Sequence, residues 1–244
     1  MRFTLVLAAL AMSTVAFAQE DAGFQFGYAA NLNIGDSVVN LSNDGGQGGP
    51  FGATFGDGVT PAPTIGNICV NTYVFDPQEE EIGCCSCLVT PNGMNSLSVK
   101  NDLISNNLTP AVPTSITIAL VATEPGIDKT GAFTTCNPAT PTFTGANVPY
   151  YFNPVAAAGD THAGFIANFA MNAWGTTLEP ASTPGTYAPV PVRFLIPTIF
   201  RQTGGSLAGE LSGMTQLCNF IQSNGTGYGI CKSCRLGALG GAKN

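Results

Sequence analysis

Eight cysteines, one histidine and a scatter of carboxylates hold nearly all the chemistry this chain of 244 residues offers. The cysteines are Cys69, Cys84, Cys85, Cys87, Cys136, Cys218, Cys231 and Cys234. Three chemistries suit them. Cys84-Cys85-x-Cys87 and Cys231-x-x-Cys234 have the spacing of zinc or iron–sulfur ligands, because thiolates are soft donors and nearby cysteines can reach one ion. Cys231-Lys232-Ser233-Cys234 could be a redox pair, although thioredoxin-type activation places its nucleophile at a helix N-terminus and this motif follows a helix end. The third chemistry, favoured by the even count, is a set of disulfides whose pairing the sequence cannot choose. Adjacent Cys84 and Cys85 point to opposite faces of an extended chain and so bond different partners. Cys218, on an apolar helix, could tie that helix to the sheet, with Cys231 or Cys234 reaching the Cys84–Cys87 cluster. Covalent haem is excluded, since Arg235 rather than histidine follows Cys234.

Any Ser–His–Asp or Cys–His mechanism would have to use His162, and no other feature nominates a nucleophile. Gly204-Gly205-Ser206-Leu207-Ala208 only approaches the nucleophile elbow, because its second glycine is missing. Zinc-protease signatures need two histidines and are impossible here. Paired carboxylates could still hydrolyse glycosides, but Asp102, Asp160, Glu179 and Glu210 have no distinguishing spacing. Trp174 is the single tryptophan, where a carbohydrate cleft tends to use several aromatic platforms. Glu79-Glu80-Glu81 and the Asp44/Asp57 loop offer oxygen ligands for calcium, yet no EF-hand loop is present and solvated acidic loops are expected. Asn40-x-Ser42, Asn107-x-Thr109 and Asn224-x-Thr226 match the glycosylation sequon. No catalytic residue, metal ligand or cofactor is assigned.

The elements that would position these groups are mostly strands. Gly35 to Leu41 reads as a short strand, followed by a Gly-rich loop from Asn43 to Gly58. Ile68 to Phe75 carries apolar groups on both faces, as a doubly covered strand requires. Asp76-Pro77 ends it, and Gln78 to Glu81 reads as a solvated loop. Cys84 to Thr90 resumes extended structure, Pro91-Asn92-Gly93 is a turn, and Ser96 to Val99 alternates. In Thr114 to Val121, the side chains of Ile116, Ile118 and Leu120 share one face. Val190, Val192, Phe194 and Ile196 form a similar face, and Pro191 marks that strand as an edge. Phe165 to Trp174 fits both periods, and the β-rich surroundings favour strand over a helix capped by Asp160. Leu207, Leu211, Met214, Leu217, Phe220 and Ile221 follow the helical period, with Asn224-Gly225 as the stop. The expected fold is mainly β: an antiparallel sandwich-like domain with a C-terminal helix packed on one end and a disulfide-linked tail.

Met1-Arg2, the apolar run from Phe3 and Ala16-Phe17-Ala18 have the order of a signal peptide, so residues 1–18 are expected to be removed. Residues 19–66 form a Gly-rich segment with a short strand. Residues 67–204 form the β-rich domain, and residues 205–244 form the helix and cysteine tail packed on it. The sequence has 8 Lys+Arg against 15 Asp+Glu, a net charge of −7. Scattered basic residues in an acidic chain argue against nucleic acid, and no apolar run is long enough for a membrane span. Only 9% of residues are charged, against 30 Gly and 17 Pro. That is the composition of a loop-rich β protein working outside the cytoplasm.

Ile68 to Phe75, Cys84-Cys85-Ser86-Cys87 with Thr90 to Gly93, Asn101 to Asn106, Ala173 to Leu178 and Gly229 to Arg235 together resemble a family of uncharacterised secreted bacterial proteins. The resemblance runs from about residue 65 to the C-terminus. It implies bacterial export and no assigned activity, so no functional residue carries over. The leading expectation is an extracellular or periplasmic structural or interaction protein of the surface or adhesion type, with a protein or surface as partner. A carboxylate-dependent hydrolase and a thiol-based metal or redox module are the alternatives.

Overall fold

Strand β3 (Ile68–Phe75) is the axis of the fold. Its Ile68, Val70 and Val74 enter the main apolar core, while Cys69 and Tyr73 project the other way and are buried too. A strand rich in β-branched and aromatic residues is stable only where both faces find cover, and here both do. The computed structural model describes residues 23–45, 67–123, 125–127, 133–141, 171–195 and 206–234. Residues 1–18, expected to be a signal peptide, most of the Gly-rich loop, Asp57, Asp160, His162, residues 165–170 and Ile196 lie outside them.

Two antiparallel sheets of four strands face each other across that core. The first has the order β1 (Phe24–Ala29), β6 (Ile116–Thr123), β3 and β4 (Glu81–Val89). The second has the order β10 (Tyr187–Arg193), β9 (Met171–Pro180), β2 (Val38–Asn43) and β5 (Met94–Ser98). A ribbon of β7 (Gly126–Ile127) and β8 (Phe133–Thr135) adds a short pair. Helix α1 (Ser206–Ser223) lies on the outer face of the first sheet, where Leu211, Met214, Cys218 and Ile221 bury against Phe24, Tyr73, Cys84, Ala119 and Val121. The mainly β sandwich with a C-terminal helix is therefore as expected, but the helix covers a sheet face rather than one end.

Covering that face explains why the first sheet is apolar on both sides. The second sheet alternates instead, with Val39, Leu41, Met171 and Ala173 inward and Val38 and Trp174 exposed. Residues 171–174 of the ambiguous segment are strand. Pro189 and Pro191, which lack N–H donors, sit on β10 at a sheet edge, pairing only with β9. Edge β1 is not left bare, since Phe26 and Leu195 exchange backbone hydrogen bonds of 3.0 and 2.7 Å. Asn92 takes φ +59° in the expected turn, and Gly225 takes φ +74° just past α1, where a left-handed residue ends the helix.

Several boundaries differ from the sequence reading. β2 starts at Val38 rather than Gly35 and runs through Asn43, whose buried side chain donates to Val89 O at 3.0 Å. β5 ends at Ser98 because Val99 opens a π-helical turn, Val99–Leu103. In α1, Leu217 and Phe220 face solvent and Cys218 takes the inward place, because the buried stripe is set by the disulfide to the sheet. On β10, Val192 is buried but Val190 is exposed, and Phe194 is buried just beyond the strand.

Gly175 marks the closest approach in the second sheet: a Cβ there would lie 2.1 Å from Val38 O. That contact is with backbone, which cannot swing away. Gly175→Ala is expected to cost about 3 kcal/mol or more, read as a lower urea midpoint with the far-ultraviolet spectrum of the surviving fold retained. A cost below about 1 kcal/mol would show that β2 and β9 can separate freely at this point.

Candidate functional site

All eight cysteines are bonded, in the pairs Cys69–Cys136, Cys84–Cys218, Cys85–Cys231 and Cys87–Cys234. Strand alternation distributes them. Cys84 faces outward and meets Cys218 on α1, whereas Cys85 and Cys87 share the other face and meet the tail. The tail runs along the free edge of β4, with Gly229 O accepting from Cys84 N at 2.8 Å and Cys234 O accepting from Ser86 N at 3.3 Å. It thus covers the edge that β4 would otherwise expose. With their sulfurs in disulfides, Cys84, Cys85, Cys87, Cys231 and Cys234 have no thiolate to offer a metal or a redox partner.

The structure singles out a residue that the sequence reading placed in solvent. Glu81 is buried at the start of β4, 6% exposed, and neither carboxyl oxygen has a hydrogen-bond partner. A β-bulge puts it there. Val74 pairs with Gly83 and Phe75 with Glu81, so Ile82 is the extra residue. Regular alternation would put Glu81 on the face of Cys85; the bulge instead brings it to the helix side. Its carboxyl oxygen and the sulfurs of Cys84 and Cys218 lie within 4.8 Å of one another. Burial without a counter-charge pushes the Glu81 carboxyl from 4.5 up to about 9, so it keeps its proton at neutral pH. Tyr73, whose hydroxyl donates to Pro138 O at 2.7 Å, is also pushed up, mainly by burial and secondarily by Glu81. Nothing in the acidic run distinguishes Glu81 from exposed Glu79 and Glu80; only the register does.

Asp102 has a structural post. Its carboxylate accepts from Ser98 N at 2.7 Å and from Ser233 Oγ at 2.6 Å, and its carbonyl accepts from Lys232 N at 2.9 Å. Asp36 completes the clasp, accepting from Ser98 Oγ at 2.5 Å and from Lys100 N at 2.9 Å. The π-helical turn is therefore the fastening between the sandwich and the tail. Asp102→Ala is expected to cost about 1–2 kcal/mol and to speed amide exchange at Ser98; unchanged exchange there would remove Asp102 from this role.

The other sequence candidates are dispersed. Glu179 accepts from Tyr28 Oη at 3.3 Å on β9, and Glu210 belongs to α1. Among the described residues, Glu81 with Cys84 and Cys218 is the one group of three or more His, Cys, Asp or Glu whose ligand atoms cluster, and its two sulfurs are spent on their own disulfide. Of the sequons, Asn107 is buried with its amide nitrogen donating to Thr109 Oγ1 at 3.1 Å and Ala111 O at 3.0 Å. Asn40 accepts from Ser96 Oγ at 2.6 Å, and Asn224 accepts from Thr226 N at 2.8 Å.

Among the described residues, no helix is long and apolar enough to cross a membrane. Compared with known proteins, the chain matches no protein-family model, no curated protein and no solved structure.

Proposed function

We propose that this is a bacterial protein exported to the periplasm or exterior, where it serves as a disulfide-locked structural or interaction domain with a protein or surface as partner. The observation that carries this reading is where the cross-links fall. They join β3 to the segment after β8, β4 to α1, and β4 twice to the tail, with all eight cysteines buried. Such bonds form and persist in oxidising compartments, which agrees with the leader-like residues 1–18. Asp102, whose carboxylate accepts from Ser98 N and Ser233 Oγ, is committed to holding the tail. The solvent face of the second sheet carries Val38, Trp174 and Met94, exposed at 37%, 41% and 59%, and supplies apolar surface for contact.

The test is the intact mass of the exported protein, unreduced, with and without alkylation, after fractionation of the cells. Cleavage after Ala18, loss of eight hydrogens and no uptake of alkylating agent are expected. An uncleaved chain retained in the cytoplasm, or free thiols at Cys231 and Cys234, overturns the reading.

A further inference from the structure

The connectivity of the disulfides assigns the protein a partner in its own maturation. In chain order the cysteines run 69, 84, 85, 87, 136, 218, 231, 234, and native bonds join 69 to 136, 84 to 218, 85 to 231 and 87 to 234. No native bond joins neighbours in that order. The first four cysteines have no native partner among themselves, so every bond that closes before Cys136 arrives is wrong. The native separations are 67, 134, 146 and 147 residues. Loop closure entropy favours short rings, so wrong bonds such as Cys69–Cys84 or Cys84–Cys87 retain the advantage even in the finished chain. Cys84, Cys85 and Cys87 also have to sort three partners from within four residues, and only the fold tells them apart: the face of β4 separates Cys84 from the other two, and the position along the strand separates Cys85 from Cys87.

We propose that this chain is an obligate client of a dithiol–disulfide isomerase in the compartment where it folds. The chemistry balances without a net oxidant for the sorting step. A thiolate of the isomerase attacks one sulfur of a non-native bond, forming a mixed disulfide and releasing a cysteine thiolate of the chain. That thiolate, or another, attacks a second disulfide; the final attack on the mixed disulfide releases the isomerase thiolate unchanged. Making the four bonds in the first place removes eight electrons and eight protons, which a disulfide-bearing thiol oxidase accepts. The fold sets the time at which sorting must be complete. All eight cysteines are 2% exposed or less once packed, and residues 229–234 close over the edge of β4. The isomerase therefore acts before the tail docks, and native bonds leave its reach when the tail is in place.

The inference rests on the proposed export for its setting, but its test does not. The purified chain, reduced and denatured, is diluted into native buffer with an oxidant alone, or with a catalytic amount of a dithiol isomerase in a glutathione buffer. Bonds are then mapped by mass spectrometry of unreduced peptides. Oxidant alone is expected to give mostly bonds within the Cys69–Cys87 group, and the isomerase to raise the native product at least tenfold. Equal native yields in the two arms overturn the proposal. A second chain, with Cys84→Ala, Cys87→Ala, Cys218→Ala and Cys234→Ala, retains only Cys69–Cys136 and Cys85–Cys231 to be formed and is expected to need the isomerase several-fold less. If this chain depends on the isomerase as strongly as the parent, the requirement does not arise from sorting, and the proposal again fails. Export is scored separately from the leader mass, so failure of one reading leaves the other decided.

Discussion

Glu81→Gln is expected to flatten the pH dependence of folding stability between about pH 4.5 and pH 9. The carboxyl titrates near 4.5 in the unfolded chain and near 9 in the folded one. Below the lower value both states carry the proton, and the buried acid costs nothing electrostatically. Between the two values the folded state binds one proton more than the unfolded state, so stability falls as pH rises, by about 1.4 kcal/mol per pH unit. Roughly 3 kcal/mol is therefore lost between the acid plateau and pH 7, and the loss levels off once the folded carboxyl ionises. This is opposite in sign to the usual paired carboxylate, which loses stability in acid. Glutamine has no proton to release, so its stability should be nearly level across this window and should exceed the parent at pH 8. Urea unfolding at half-unit pH steps is the measurement. Parallel curves for the two proteins would falsify the assignment of Glu81 as a buried neutral acid.

Removing disulfides in pairs by Cys→Ala should give a ranking that loop lengths read from sequence do not suggest. Taken alone, the bonds closing 134, 146 and 147 residues look strongest and the one closing 67 looks weakest. But Cys84–Cys218, Cys85–Cys231 and Cys87–Cys234 overlap, with both sets of ends close together in the chain. With Cys85–Cys231 present, Cys84–Cys218 closes a ring of only roughly 15 residues, and Cys87–Cys234 one of roughly 5. Chain entropy then gives about 3 and about 2 kcal/mol for these two bonds. Cys69–Cys136 shares its large ring with no such short path, so its loss costs about 4 kcal/mol, the largest effect of a single pair. Losing all three overlapping bonds together should cost more than the sum of their single removals. A ranking that follows sequence separation would mean that the overlapping bonds act independently and that native strain or residual structure dominates.

Much of the architecture was legible because it rests on local periodicity. β3 and β6 announce themselves through β-branched residues, Pro191 identifies an edge, and Asn92-Gly93 and Asn224-Gly225 mark turns that need positive φ. The solvent-facing Leu217 and Phe220 were misread because the helical period fits two adjacent stripes, and only the bond from Cys218 to Cys84 selects one of them. The helix was assigned to an end of the sandwich for a related reason. The two-sided apolarity of β3 was the sign that outward side chains such as Cys69 and Tyr73 need a cover, but nothing local says which element supplies it.

By itself the sequence determined the leader-like start, the mainly β character, the disulfide option and the opposite facing of Cys84 and Cys85, since each follows from composition or from a repeat of two residues. Tertiary structure alone decided which cysteine meets which, because pairing depends on which strand edge the tail follows and which face the helix covers. It also decided the state of Glu81. One inserted residue in a ladder moves the carboxyl from one face of a sheet to the other, and a buried face without a partner holds a proton that water would have taken.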